Sequence, residues 1–239
     1  MMYRPELLHD ADGWIAAENR KLLRGESALL FQLAGVPGAG RSTLLAATVR
    51  RLTGQAEVGV ILTEPVREAD RPQLTEHSRQ VVKIDRPRLD AAAVQQALGQ
   101  MDLKRLEWIF CEGLGAAASN AVEGETIGDV GQNLTVGVFS VAGGDDKAAS
   151  LSRLARQADA VVLTQADLLP HVPFSLERFE RDLRRANAET PLFVVSALHG
   201  TGMPEWIAWL RRYRISKSSA APGADWDELM EIHGEWYFG

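Results

Sequence analysis

The chain has 239 residues, 46% of them hydrophobic, and a formal net charge of −6, which suits one sizeable α/β domain with an ordinary core and a short tail. The negative balance argues against a nucleic-acid surface, which needs clustered Lys and Arg; the pairs Arg184-Arg185 and Arg211-Arg212 fall in helical patterns and read as solvated faces. A single cysteine, Cys111, excludes an internal disulfide, the opening MMYRPELLHD lacks an apolar core, and no stretch reaches membrane-spanning length, so a cytoplasmic chain with no membrane role is expected.

Residues 28–34 (ALLFQLA) form an apolar run that reads as a strand, and residues 41–52 (RSTLLAATVRRL) read as a helix. Between them, residues 35–43 spell GVPGAGRST, which fits the phosphate-loop pattern G-x-x-x-x-G-K-[ST] except that Arg41 stands in place of lysine. Gly35, Gly38 and Gly40 free the backbone to turn successive amides toward a phosphate, with Ala39 between the last two. The helix that follows adds the positive end of its dipole at Arg41, Ser42 and Thr43. Ser42 is the hydroxyl expected to reach Mg²⁺. Arginine keeps the lysine's charge, but its planar fork is bulkier and aims its donors differently. The bland alternative is a glycine-rich strand-to-helix turn with no ligand.

Further along, residues 58–64 (VGVILTE) and 80–84 (QVVKI) read as strands, with an irregular helical signal between them. Residues 89–101 read as a helix, and 106–112 (LEWIFCE) and 134–142 (LTVGVFSVA) as strands across a Gly-, Ala-, Ser- and Asn-rich loop. Residues 158–164 and 191–197 add two short apolar strands, with helices at 175–187 and 202–213. Strands alternating with helices imply a mainly parallel sheet covered on both faces, with ligands at the carboxyl ends of its strands. From about residue 215 the pattern stops: SKSSAAPGA is linker-like, and DWDELMEIHGEWYFG is acidic and aromatic. The expected organisation is a domain over 1–214 and a tail over 215–239, the tail being either a flexible end or a docking segment.

Taken together, residues 10–212 resemble the nickel-insertion GTPases of hydrogenase maturation (HypB) and their cousins, the urease-accessory GTPases (UreG). WIAAENRKLLRGE resembles that family's N-terminal helix, IFCEGLG its switch-II strand and loop, and VVSALHGTGMPEWIAWL its last strand and helix. The resemblance implies a three-layer P-loop NTPase fold, GTP and Mg²⁺ as ligands, a homodimer, and a metalloenzyme or another maturation protein as partner. It carries the base-recognition pattern N-K-x-D onto Thr164-Gln165-Ala166-Asp167, so Asp167 is kept while Gln165 replaces the lysine. It carries the second base motif onto Ser196-Ala197, the Mg²⁺ carboxylate that joins Ser42 onto Glu64, and the switch carboxylates of the catalytic region onto Glu64, Asp70 and Glu112. Pro65 would stiffen the first of these segments, and Gly115 matches the second. The family's Cys-His metal pair falls on Pro87 and Arg88, and its later cysteine on Ser119, none of them a usual ligand for nickel or zinc.

Three readings are open at this level. The first is a maturation GTPase with weak hydrolysis, for which no catalytic base can be named. The second is a pseudo-GTPase scaffold in a maturation complex, favoured by Arg41, Gln165, Pro65 and the missing metal ligands. The third is an ATP-using relative, disfavoured by Asp167 because adenine presents no matching donors.

Overall fold

The computed structural model describes residues 6–63, 71–85, 89–112, 127–150 and 152–218. Two compact units divide the chain, Met1–Ile207 and Ala208–Gly239. The first holds a seven-stranded sheet in the order β3-β2-β4-β1-β5-β6-β7. Its strands are β1 (Leu29–Ala34), β2 (Val58–Thr63), β3 (Gln80–Ile84), β4 (Trp108–Glu112), β5 (Leu134–Ser140), β6 (Ala160–Thr164) and β7 (Leu192–Val194). Every pairing is parallel, which is the mainly parallel sheet the alternating pattern predicts.

The helices are α1 (Glu6–Glu26), α2 (Arg41–Leu52), α3 (Arg71–His77), α4 (Ala91–Leu98), α5 (Lys147–Ser150), α6 (Ser152–Gln157), α7 (Leu176–Ala186) and α8 (Met203–Ser218). Side chains alternate across a strand, so Leu30, Ile109 and Cys111 face one way while Phe31, Trp108 and Phe110 face the other. The first set packs with Leu23 of α1 and Ala93, Val94 and Ala97 of α4. A neighbouring cluster places Leu154 of α6 and Phe179 and Leu183 of α7 against Phe139, Val161 and Leu163. On the opposite face the rings of Phe31, Trp108 and Phe110 stack at 5.1 to 6.1 Å. There α2 contributes the buried Leu44, Leu45, Val49 and Leu52. Each such side chain, fully enclosed, contributes about 1.5–3 kcal/mol. The strands therefore read as continuous apolar runs rather than alternating ones, as a sheet covered on both faces requires.

Most differences from the sequence reading lie at element ends, and each has a local cause. The helix expected over 89–101 is α4 alone: Asp90 caps it by accepting from the Ala93 amide at 2.6 Å, and Gly99 ends it. The strand expected to reach residue 142 stops at Ser140, where a 3₁₀ turn, Val141–Gly143, leads into Gly144 at φ 102°. The strand expected over 191–197 keeps only three residues, because Ser196 turns back to bond the Thr201 carbonyl at 2.9 Å. The last helix continues past residue 215 to Ser218, where Lys217 lies 5.4 Å from the Tyr213 ring centroid, one turn away. No helix among the described residues is long and apolar enough to cross a membrane.

Parallel pairing brings the carboxyl ends of β1, β4, β5 and β6 to one edge. Leu33 is level with Glu112, and Ser140 with Thr164. Each chemically suggestive motif that is described begins at this edge.

Candidate functional site

The loop after β1 is shaped by close approaches. A Cβ on Gly35 would lie 2.3 Å from the Val138 carbonyl oxygen, so only glycine lets the chain leave the sheet there. Gly38 (φ 82°) and Gly40 (φ 79°) both adopt the left-handed region. Gly40 caps α2 without any side-chain hydrogen bond, leaving the first-turn amides of a 12-residue helix for an anion. Thr164, at the end of β6 and nearly buried, ties the loop down: its hydroxyl lies 2.7 Å from the Ala39 carbonyl oxygen and 3.1 Å from that of Phe139. A Cβ on Gly40 would sit 3.0 Å from the same hydroxyl. The loop, β5 and β6 thus meet at one side chain.

Three charged and polar groups converge where β4 ends beside α2. The Ser42 hydroxyl donates to Glu112 Oε1 at 2.7 Å, and Arg41 Nε lies 3.9 Å from the same oxygen. Both ionic side chains are largely enclosed, 13% exposed for Arg41 and 9% for Glu112. A cation in the first turn opposes the helix dipole, and Glu112 offsets it. Burial lowers the Arg41 guanidinium from its usual value, while the Glu112 charge works in the other direction. The Thr63 hydroxyl donates to the Glu112 carbonyl at 3.2 Å, fixing the backbone at this strand end.

A second cluster lies at the ends of β6 and β7. Gln165 takes a left-handed conformation (φ 59°) and opens the 3₁₀ turn Ala166–Leu168. The Ala166 amide bonds the Val195 carbonyl at 3.0 Å, which sets the two loops side by side. The Ser196 hydroxyl donates to Asp167 Oδ1 at 2.6 Å and in turn accepts from the His199 amide at 3.2 Å. That hydroxyl is the main reason the Asp167 carboxyl is held below the usual carboxylate range; partial burial opposes it, and a backbone hydrogen bond with the charges of His199 and His171 adds to it. Asp167 is therefore a pure acceptor near neutral pH.

A cleft of about 390 Å³ borders the second cluster and reaches the loop and α2 at Gly40 and Thr43; Arg41, Ser42 and Glu112 do not line it. Gly40, Thr43, Thr164, Gln165, Asp167 and Ala197 line it. Ala47, Arg50, Gln73 and Leu198 complete the wall. Leu198 is 76% exposed and offers the cleft an apolar surface.

The structure gathers the residues singled out from the sequence into these two groups. Gly38, Ala39, Gly40, Arg41, Ser42 and Thr43 stand at the end of β1 with Glu112 alongside; Gln165, Asp167, Ser196 and Ala197 stand at the ends of β6 and β7. Glu64 and Asp70 lie outside the described residues, as do Pro65, Pro87, Arg88, Gly115, Ser119 and residues 219–239. Thr164 was visible in the sequence only as the first letter of a base-recognition pattern, and its bond to the phosphate loop leaves no sequence signal. Among the described residues no three His, Cys, Asp or Glu side chains cluster as metal ligands would.

Comparison with known proteins agrees with this arrangement. The family described as CobW/HypB/UreG, nucleotide-binding domain, matches residues 29–194. The hydrogenase maturation factor HypB of Azotobacter vinelandii is 31% identical over 208 residues, covering 86% of this chain and 67% of that protein. The factor of the same name from Escherichia coli K12 is 27% identical over 210 residues, covering 87% and 71%. Among solved structures, the maturation factor HypB of Archaeoglobus fulgidus superposes with a TM-score of 0.76 at 23% identity, covering 86% of this chain and 99% of that one. HypB from Helicobacter pylori, solved in complex with nickel, gives 0.76 at 18% identity over 90% and 100%. These two structures share the fold of this chain.

Proposed function

The chain belongs to the CobW/HypB/UreG nucleotide-binding family, and from that premise we propose that it is a GTP-binding accessory factor in the maturation of a metalloenzyme. The observation that carries this is a cleft lined by Gly40 and Thr43 beside the phosphate loop and by Gln165 and Asp167. A nucleoside triphosphate has the same layout, with phosphates at one end and a base at the other. Guanine presents two adjacent N–H donors on one edge, and the ionised Asp167 carboxylate is the matching acceptor, already oriented by Ser196. Ala197 contributes backbone at the same end, Gln165 lies along the base, and Leu198 supplies apolar contact.

At the other end, the amides of Gly38 through Thr43 and the Arg41 guanidinium receive the phosphates. The Ser42 hydroxyl and the Glu112 carboxylate are hard oxygen donors 2.7 Å apart, a set that fits Mg²⁺. When bound, Mg²⁺ supplies charge neutralisation on the phosphate oxygens. From the family resemblance, Glu64 is proposed as a further Mg²⁺ ligand with Ser42, and Glu64, Asp70 and Glu112 as the switch carboxylates. Hydrolysis, with water positioned by these carboxylates, and a nucleotide-dependent homodimer complete the reading. Its partner would be a metalloenzyme or another maturation protein, met in the cytoplasm.

The test is calorimetric titration of the full chain with non-hydrolysable GTP and ATP analogues in Mg²⁺. Micromolar or tighter binding, about −8 kcal/mol, is expected for the guanine analogue only. No heat from either analogue in a folded sample overturns the proposal and leaves the nucleotide-free scaffold.

A further inference from the structure

The chain departs from the phosphate-loop pattern at Arg41, and the departing side chain has a definite destination. Its Nε lies 3.9 Å from Glu112 Oε1, the oxygen that also accepts from Ser42 at 2.7 Å. The two ionic groups share a largely enclosed space at the carboxyl edge of the sheet. A carboxylate enclosed beside bound phosphates faces like charge at reduced dielectric, where repulsion is several-fold stronger than in water. A divalent cation is the usual remedy, since it neutralises both anions at once.

Here a full positive charge from the chain itself already stands against that carboxylate. An ammonium in its place is a compact point charge, and turning toward a phosphate takes it away from the carboxylate. A guanidinium is planar and carries five N–H donors along separate edges. A guanidinium that turns one edge to a carboxylate can engage a second anion through its other N–H groups.

We infer that Arg41 takes over the charge-compensating role of the divalent cation between Glu112 and the phosphates, so that nucleotide binding by this chain is nearly independent of Mg²⁺. Mg²⁺ is then needed for later steps rather than for capture. This rests on the nucleotide reading above.

The experiment titrates the full chain with the non-hydrolysable GTP analogue in Mg²⁺ and again in excess EDTA, then repeats both with Arg41→Lys. Thermal melting of both proteins establishes that they are folded. For the native chain, removal of Mg²⁺ is expected to change affinity by no more than about threefold, whereas the lysine variant is expected to lose about tenfold or more. A native chain that loses tenfold or more in EDTA overturns the inference while leaving the nucleotide reading intact. A lysine variant as indifferent to Mg²⁺ as the native chain also overturns it, because Arg41 is then not the cause. Absence of binding in both buffers removes the proposed function itself, and the inference with it.

Discussion

Asp167 and Ser196 form the pair on which base selection turns, because one hydroxyl both orients the carboxylate and holds it ionised. Asp167→Asn replaces one acceptor oxygen with a donor, so affinity for the guanine analogue should fall roughly tenfold to a hundredfold. A xanthine analogue, which carries an oxygen where guanine carries an amine, should gain over the native protein. Equal loss for both bases would contradict the assignment. The pH behaviour follows from the direction of the shift. A carboxyl depressed in the folded state contributes above its unfolded pKa, and the contribution is lost as pH falls through the lower, folded one. Guanine-analogue affinity should thus hold steady as pH falls into the ordinary carboxylate range and be lost only below it. Ser196→Ala removes the largest cause of the depression, so the acid limb should move to higher pH, which a titration series across pH 4–7 would reveal. The sequence displayed this site unevenly. The motif letters at residues 35–43, Asp167 and Ser196-Ala197 were readable because their spacing is fixed by ligand geometry. Thr164 was not, since its contact with Ala39 joins residues 125 apart in the chain.

At the scale of elements, the phosphate loop is held by what surrounds it as much as by its own glycines. Thr164 anchors it from β6, and Gly35 lets it pass beneath Val138 of β5. The Trp206 indole of α8 donates to the Thr48 hydroxyl at 3.0 Å, joining the start of that helix to α2. Thr164→Val keeps the shape but strips the hydroxyl from two buried carbonyls, so stability should drop by about 1–3 kcal/mol. Denaturant unfolding measures this directly, and an unchanged midpoint would show that the hydroxyl ties nothing. Strands were the more legible elements: residues 80–84 were read with both ends in place, and the strand read from residue 58 begins there. Their apolar runs are long enough to announce themselves. The short helices α5 and α6 were not foreseen, because four and six residues give too little periodicity. The strand order was equally hidden, since crossovers are set by packing across the whole sheet.

For the molecule as a whole, the question is metal carriage, since a structural neighbour was solved with nickel. Soft divalent metals favour thiolate and imidazole ligands, and thiol ligands must give up their proton. The chain has a single cysteine, Cys111. It is fully buried in β4, and burial pushes its thiol well above the ordinary range, so it stays protonated inside the core beneath α1 and α4. Among the histidines, His171 and His199 are exposed and stand near the single carboxylate of Asp167. One carboxylate and two solvent-facing imidazoles that form no ligand cluster make a poor trap for nickel or zinc. Equilibrium dialysis of the full chain against Ni²⁺ or Zn²⁺ should accordingly give no stoichiometric site tighter than about 1 μM, or −8 kcal/mol. A submicromolar, one-to-one site would overturn this and return metal carriage to the chain itself. Its absence would leave nucleotide capture as the chain's contribution, with the metal carried by another component of the maturation machinery.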